Sequence, residues 1–130
     1  MKFIIVDNDE INLTVTSQLV SKVVRTNKVY TYQNASDALR FLQTYDSSET
    51  LSLFLDLHMP VVSGWDFLEF FTEFDDNLKS RVHIYILSSS VDPRDKTRAL
   101  AHSNVISFVS KPITAAYLND IFKNASEELW

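Results

Sequence analysis

The feature that most constrains this chain is a rhythm of short apolar runs, each followed by a stretch with helical spacing. The runs are Phe3–Val6, Val29–Tyr32, Leu51–Leu55, Val82–Leu87 and Val105–Val109. Phe3-Ile4-Ile5-Val6 and Ile84-Tyr85-Ile86-Leu87 are continuous rather than alternating. A strand covered on both faces needs that pattern, and such strands belong to parallel sheets.

The intervening segments carry apolar residues at helical intervals. Residues 10–25 place Val15, Leu19 and Val23 four apart, with Val20 and Val24 beside them. Residues 36–45 set Ala38, Leu39 and Leu42 on one side, with Ser36 as the expected N-cap. Residues 63–74 carry Phe67, Leu68 and Phe71. Asp92-Pro93 reads as an N-cap followed by proline at the first helical position. Residues 115–128 align Leu118, Ile121, Phe122 and Ala125, with Thr114 as cap. A strand-helix unit repeated five times predicts an α/β fold with a parallel sheet and helices on both faces. Its crossovers should be right-handed. The expected architecture is flavodoxin-like, with strand order 2-1-3-4-5 and a site at the carboxyl ends of the strands.

The chain has 130 residues, enough for one domain spanning 1–130. Hydrophobic residues make up 45% and charged residues 22%, so the chain can build a core and stay soluble. Twelve Lys+Arg against seventeen Asp+Glu leave a net charge of −5. With no basic run, the chain is a poor nucleic-acid binder, because that affinity rests on neutralising phosphates. There is no cysteine, which removes disulfides, thiol nucleophiles and Cys-based zinc sites. No apolar run approaches the ~18 residues needed to cross a bilayer. The opening Met1-Lys2-Phe3-Ile4-Ile5-Val6-Asp7 turns acidic too soon for a signal peptide, so a cytoplasmic location without membrane attachment is expected.

Chemistry is concentrated just after the strands. The five ends read Asp7-Asn8-Asp9, Gln33-Asn34, Asp56-Leu57-His58, Ser88-Ser89-Ser90 and Ser110-Lys111-Pro112. In the order 2-1-3-4-5, four of them gather at one edge. Clustered carboxylates call for a cation, and oxygen ligands without cysteine favour Mg²⁺, which also takes phosphate oxygens. A lysine ammonium and a serine hydroxyl can hold the remaining phosphoryl oxygens. A carboxylate can itself be the nucleophile. The set suits phosphoryl transfer onto, or off, an aspartate.

Specific segments resemble the receiver domain of two-component response regulators, over essentially the whole chain. They are Leu53-Phe54-Leu55-Asp56-Leu57-His58-Met59-Pro60 with Ser63-Gly64-Trp65-Asp66-Phe67-Leu68, then Ile86-Leu87-Ser88-Ser89, then Ser107-Phe108-Val109-Ser110-Lys111-Pro112. The resemblance implies that Asp56 accepts a phosphoryl group from a histidine kinase or phosphotransfer protein. It implies Mg²⁺ held by Asp7, Asn8, Asp56 and the backbone carbonyl of His58. Ser88 would bind a phosphoryl oxygen, Lys111 would pair with it, and Phe108 would follow Ser88 as the switch aromatic. The Lys111–Pro112 peptide would be cis. Catalysis would extend only to the chain's own phosphorylation and dephosphorylation. Receivers usually have a second acid where this chain has Asn8, so weaker Mg²⁺ binding is expected. Asp9 is expected to cap the first helix.

Two other readings are set beside this one. Ile4-Ile5-Val6-Asp7-Asn8-Asp9 resembles the start of haloacid-dehalogenase-like phosphatases, with Asp7 as nucleophile and Asp9 as general acid. That scheme leaves Asp56-Met59-Pro60 unexplained. Asn8 alone suggests a pseudo-receiver that works without phosphorylation. His58, His83 and His102 are too scattered for a metal trio. Phe67, Phe70, Phe71 and Phe74 read as core, with Phe70 or Trp65 left at the surface. Arg94, Lys96 and Arg98 read as a solvated helix face. The chain stops soon after its last helix, at Glu127-Glu128-Leu129-Trp130, with no output domain following. If these residues are the full protein, output through contact with an effector protein is expected; in a longer protein the further domain would decide it.

Overall fold

Each apolar run forms a strand, and each strand is longer by a residue or matches its expected limits. The computed structural model describes the backbone of residues 1–128 and the side chains of residues 1–122. Its order is β1 (Lys2–Val6), α1 (Glu10–Val24), β2 (Val29–Tyr32), α2 (Ala35–Gln43), β3 (Leu51–Asp56), α3 (Gly64–Phe71), α4 (Asp76–Lys79), β4 (Val82–Ser88), α5 (Pro93–Leu100), β5 (Val105–Ser110) and α6 (Ala115–Glu128). The sheet is five-stranded with order β2-β1-β3-β4-β5, and every pairing is parallel. The flavodoxin-like reading therefore holds.

Side chains alternate between the two faces of the sheet. Phe3, Ile5, Phe54, Tyr85 and Leu87 face one way, under α1 and α6. Ile4, Val6, Leu53, Leu55, Ile84 and Ile86 face the other, under α2, α3 and α5. All six residues of β3 are buried, which explains why its run carries no alternation. Fully burying one such Leu, Ile or Phe side chain contributes roughly 1.5–3 kcal/mol. The sheet thus holds its strand ends in fixed register.

Several local expectations are corrected. The buried stripe of α1 is Leu13, Thr16, Val20 and Val24, not Val15, Leu19 and Val23. Val15 is 58% exposed, and Leu19 and Val23 flank the core. The stripe starts at Leu13 and includes Thr16, a buried polar residue that an apolar pattern leaves out. The N-cap of α2 is Asn34, whose side chain accepts from the Asp37 N–H; Ser36 lies inside the helix. Asp92 and Thr114 do cap α5 and α6. Phe67 and Phe71 are core, Phe74 and Trp65 pack partly against it, and Phe70 is 54% exposed. The short helix α4, capped by Asp75, had no apolar periodicity to announce it. The expected packing of Ala125 lies outside the described side chains.

Candidate functional site

The carboxyl ends of β1, β3 and β5 deliver Asp7, Asp56 and Lys111 to one point. Each comes one residue past, or at the end of, a strand of the sheet, so the sheet register sets their spacing. Lys111 Nζ donates to Asp7 Oδ2 at 2.9 Å and stands 3.3 Å from Asp56 Oδ2. Both aspartates are buried. One ammonium therefore bridges two acids drawn from strands 104 and 55 positions away in sequence.

The surroundings tune the charges. Burial pushes the Asp56 carboxyl above its ordinary value, with Asp7 adding repulsion; the Lys111 ammonium and the His58 N–H pull the other way. That N–H donates to Asp56 Oδ1 at 3.2 Å. Burial works against charge on Lys111, but its hydrogen bond to Asp7 and the charge of Asp56 outweigh it, so the ammonium is held above its usual range. Lys111 is thus a fixed cation at neutral pH.

Backbone contacts lock the two strand-end loops. The Lys111 N–H donates to the Ser88 carbonyl at 2.9 Å, tying the end of β5 to that of β4. The Lys111–Pro112 peptide is cis. Gly64, the chain's one glycine, opens α3 against the Asp56 loop. Its N–H donates to the Leu57 carbonyl at 2.9 Å. A Cβ there would lie 2.5 Å from the Asp56 carbonyl oxygen and 2.6 Å from Leu57 Cα. Any larger residue must push the Asp56 backbone aside.

Ser88 is fully buried at the end of β4, and its hydroxyl accepts from the Ser90 N–H at 3.0 Å. Phe108 on β5 pairs with Ile86 and packs partly against the same core. Ile86 and Ser88 share a sheet face, so the hydroxyl and the aromatic ring belong to one side of the molecule. Asn8 and the His58 side chain are exposed. Asp9 caps α1: its Oδ1 accepts from the Ile11 and Asn12 N–H groups. It is thereby turned to the helix rather than poised as an acid beside Asp7, which removes the second half of the dehalogenase-like scheme. His58, His83 and His102 do not assemble, and no group of three or more His, Cys, Asp or Glu could hold a metal among the described residues.

Sequence reasoning missed Ser90. Its hydroxyl donates to Asp95 Oδ2 at 2.6 Å and accepts from the Asp92 N–H at 3.2 Å, fastening the Ser88 loop to α5. Nothing in the run Ser88-Ser89-Ser90 separates these roles before folding. Trp65 was also underread: the Arg98 guanidinium lies 4.1 Å from its ring centroid, joining α5 to the start of α3.

With this geometry in place, the comparisons decide the family. A family model for the response regulator receiver domain matches residues 3–123. The chain belongs to that family. A receiver protein from Dyadobacter fermentans is 28% identical, with TM-score 0.86 over 96% of this chain and 97% of the other. A two component response regulator from Cytophaga hutchinsonii is 25% identical, with TM-score 0.84 over 97% and 96%. The chemotaxis protein CheY4 of Vibrio cholerae, 19% identical with TM-score 0.75 over 95% and 97%, shares the fold. The sensory/regulatory protein RpfC of Xanthomonas campestris pv. campestris is 28% identical over 120 residues, which cover 92% of this chain and 16% of that protein. This receiver thus spans about one-sixth of that relative's length. Receivers are signalling domains of two-component systems, and a phosphorylation-dependent switch fits this one; the phosphatase and pseudo-receiver readings are not favoured. No helix among the described residues is long and apolar enough to cross a membrane.

Proposed function

We propose that this receiver accepts a phosphoryl group on Asp56 and signals by changing its contacts with an effector protein. The observation that carries this reading is Lys111 Nζ set between the buried Asp7 and Asp56 carboxylates. An Asp56 oxygen attacks the phosphorus of a phosphohistidine on a histidine kinase or phosphotransfer protein. The new P–O bond forms as the P–N bond breaks, and the imidazole leaves with its electron pair. Lys111 then pairs with a phosphoryl oxygen, and the Ser88 hydroxyl turns from Ser90 to another. Phe108 repacks as Ser88 moves, which biases a two-state element through a local charge. The domain spans residues 1–130, acts in the cytoplasm, and performs no chemistry beyond its own phosphorylation and dephosphorylation.

The donor set fits Mg²⁺. Two buried carboxylates, an amide oxygen and a peptide carbonyl are hard ligands, and so few protein ligands suit an ion that keeps waters and takes phosphate oxygens. Asp7, Asn8, Asp56 and the His58 carbonyl would hold it. When bound, it would neutralise charge on the transferring group.

Intact-mass analysis after incubation with acetyl phosphate and Mg²⁺ tests the reading. The wild type should gain one phosphoryl group and Asp56→Asn none. Persistent labelling of Asp56→Asn would move the acceptor elsewhere.

A further inference from the structure

On the sheet face opposite α1 and α6, an open groove of about 630 Å³ runs between α2 and α3. Leu39, Val62, Phe70 and Phe74 supply its apolar wall. Three of these pack partly against the core, whereas Phe70 is 54% exposed and belongs to no core cluster. Phe70 thus extends the wall of Leu39, Val62 and Phe74 out to solvent, and a contiguous apolar patch of this kind, unlike a single scattered ring, marks a contact surface.

The charges around the groove name its occupant. Arg40, on the α2 wall, is met by Asp37 at 3.4 Å, and Lys79 is met by Asp76 at 3.4 Å. Glu73 lines the groove and Glu69 lies exposed beside Phe70, and neither makes an ion pair among the described residues. Glu69 and Glu73 flank Phe70 at and just past the last turn of α3, which carries no basic residue. Negative charge is unfavourable at that end of a helix, and acids four apart repel. A cationic partner relieves both costs. Phosphate-bearing surfaces, whether nucleic acid or anionic membrane, would be repelled.

We infer that the α2–α3 groove is a docking site for a basic amphipathic helix of a partner protein, whose apolar side chains cover Phe70 and whose Lys or Arg residues meet Glu69 and Glu73. Helix-in-groove recognition uses this combination of apolar anchors and flanking charge. The groove is lined by Val62, from the loop that follows Asp56, but by none of Asp7, Asp56, Ser88 and Lys111, so peptide binding and acetyl phosphate labelling are separate readouts.

The probe is a fluorescein-labelled helical peptide with leucines at positions i, i+3, i+4 and i+7 and arginines elsewhere, titrated with the full receiver and followed by anisotropy. Saturable binding is expected. Phe70→Ser and the double variant Glu69→Lys/Glu73→Lys should each weaken it about tenfold. Asp120→Lys, on α6 across the sheet, should leave it within about twofold. Circular dichroism and acetyl phosphate labelling report that the variants fold. The inference is overturned if a peptide with serine for leucine binds as tightly, or if Asp120→Lys weakens binding as much as the groove variants. Sedimentation showing that the receiver alone self-associates through Phe70 would also overturn it, since the groove would then belong to a second copy.

Discussion

Val61 holds φ at 66° with its side chain fully exposed, in the loop between Asp56 and α3. A β-branched residue is strongly disfavoured in the left-handed region, by roughly 1–2 kcal/mol. Glycine removes that cost but adds unfolded-chain entropy. Val61→Gly should therefore stabilise the fold by about 0.5–1 kcal/mol, read as a higher urea midpoint. Asn8 presents a different case, an exposed residue that withholds a charge. Asn8→Asp should tighten Mg²⁺ binding by roughly tenfold in calorimetric titration, because affinity follows the charge count of the ligands. Equal affinity in both proteins would place the metal away from the end of β1. Lys111 is the residue on which the site turns, since one ammonium offsets the mutual repulsion of two buried acids.

At the scale of elements, caps and strand ends do most of the positioning. Asp7 and Asp9 have similar spacing from β1 but opposite duties: one faces Lys111, the other closes the N-terminus of α1. Asp9→Ala should cost about 1 kcal/mol of stability through the lost cap. Phosphorylation by acetyl phosphate should persist in that variant, whereas an acid acting in the chemistry would take the reaction with it. Gly64 is the contact that joins α3 to β3, and its missing Cβ lets the helix start directly on the Asp56 loop. The amphipathic faces of α2 and α3 were legible as stripes. Which edge of each stripe stayed uncovered was not, because that depends on the separation of the two helices.

Across the whole molecule, an aromatic cluster ties the sheet to α6. Phe54 stacks on Tyr85 at 5.2 Å between ring centroids, and Phe122 meets Phe3 at 5.1 Å and Tyr85 at 5.5 Å. Burial, with a smaller contribution from Tyr117, pushes the Tyr85 phenol up to about 12. The unfolded chain releases that proton near pH 10. Below pH 10 both states are protonated and the stabilisation is complete; as pH rises from 10 through about 12 the unfolded state gains by ionising and stability falls. Tyr85→Phe should flatten this alkaline limb, seen as urea midpoints that drop less between pH 10 and 12 than in the wild type.

Strand positions, sheet order and the acids and lysine at the strand ends were all readable from residue order. Periodicity reports how many faces an element buries, and a parallel topology then dictates which strand ends meet. Side-chain partners were readable only in part. Asp9 was expected as the cap of α1 and Phe70 at the surface, but Ser88 and Ser90 are near neighbours of the same chemical type, and no local pattern tells them apart. Their duties diverge because packing buries one at the end of β4 and leaves the other to fasten the loop to α5. The sequence by itself determined the frame and the chemical inventory, since both follow from short-range spacing. The tertiary structure alone decided the bridging of two carboxylates by one ammonium and the uncovered α2–α3 groove, since both arise from distances between elements remote along the chain.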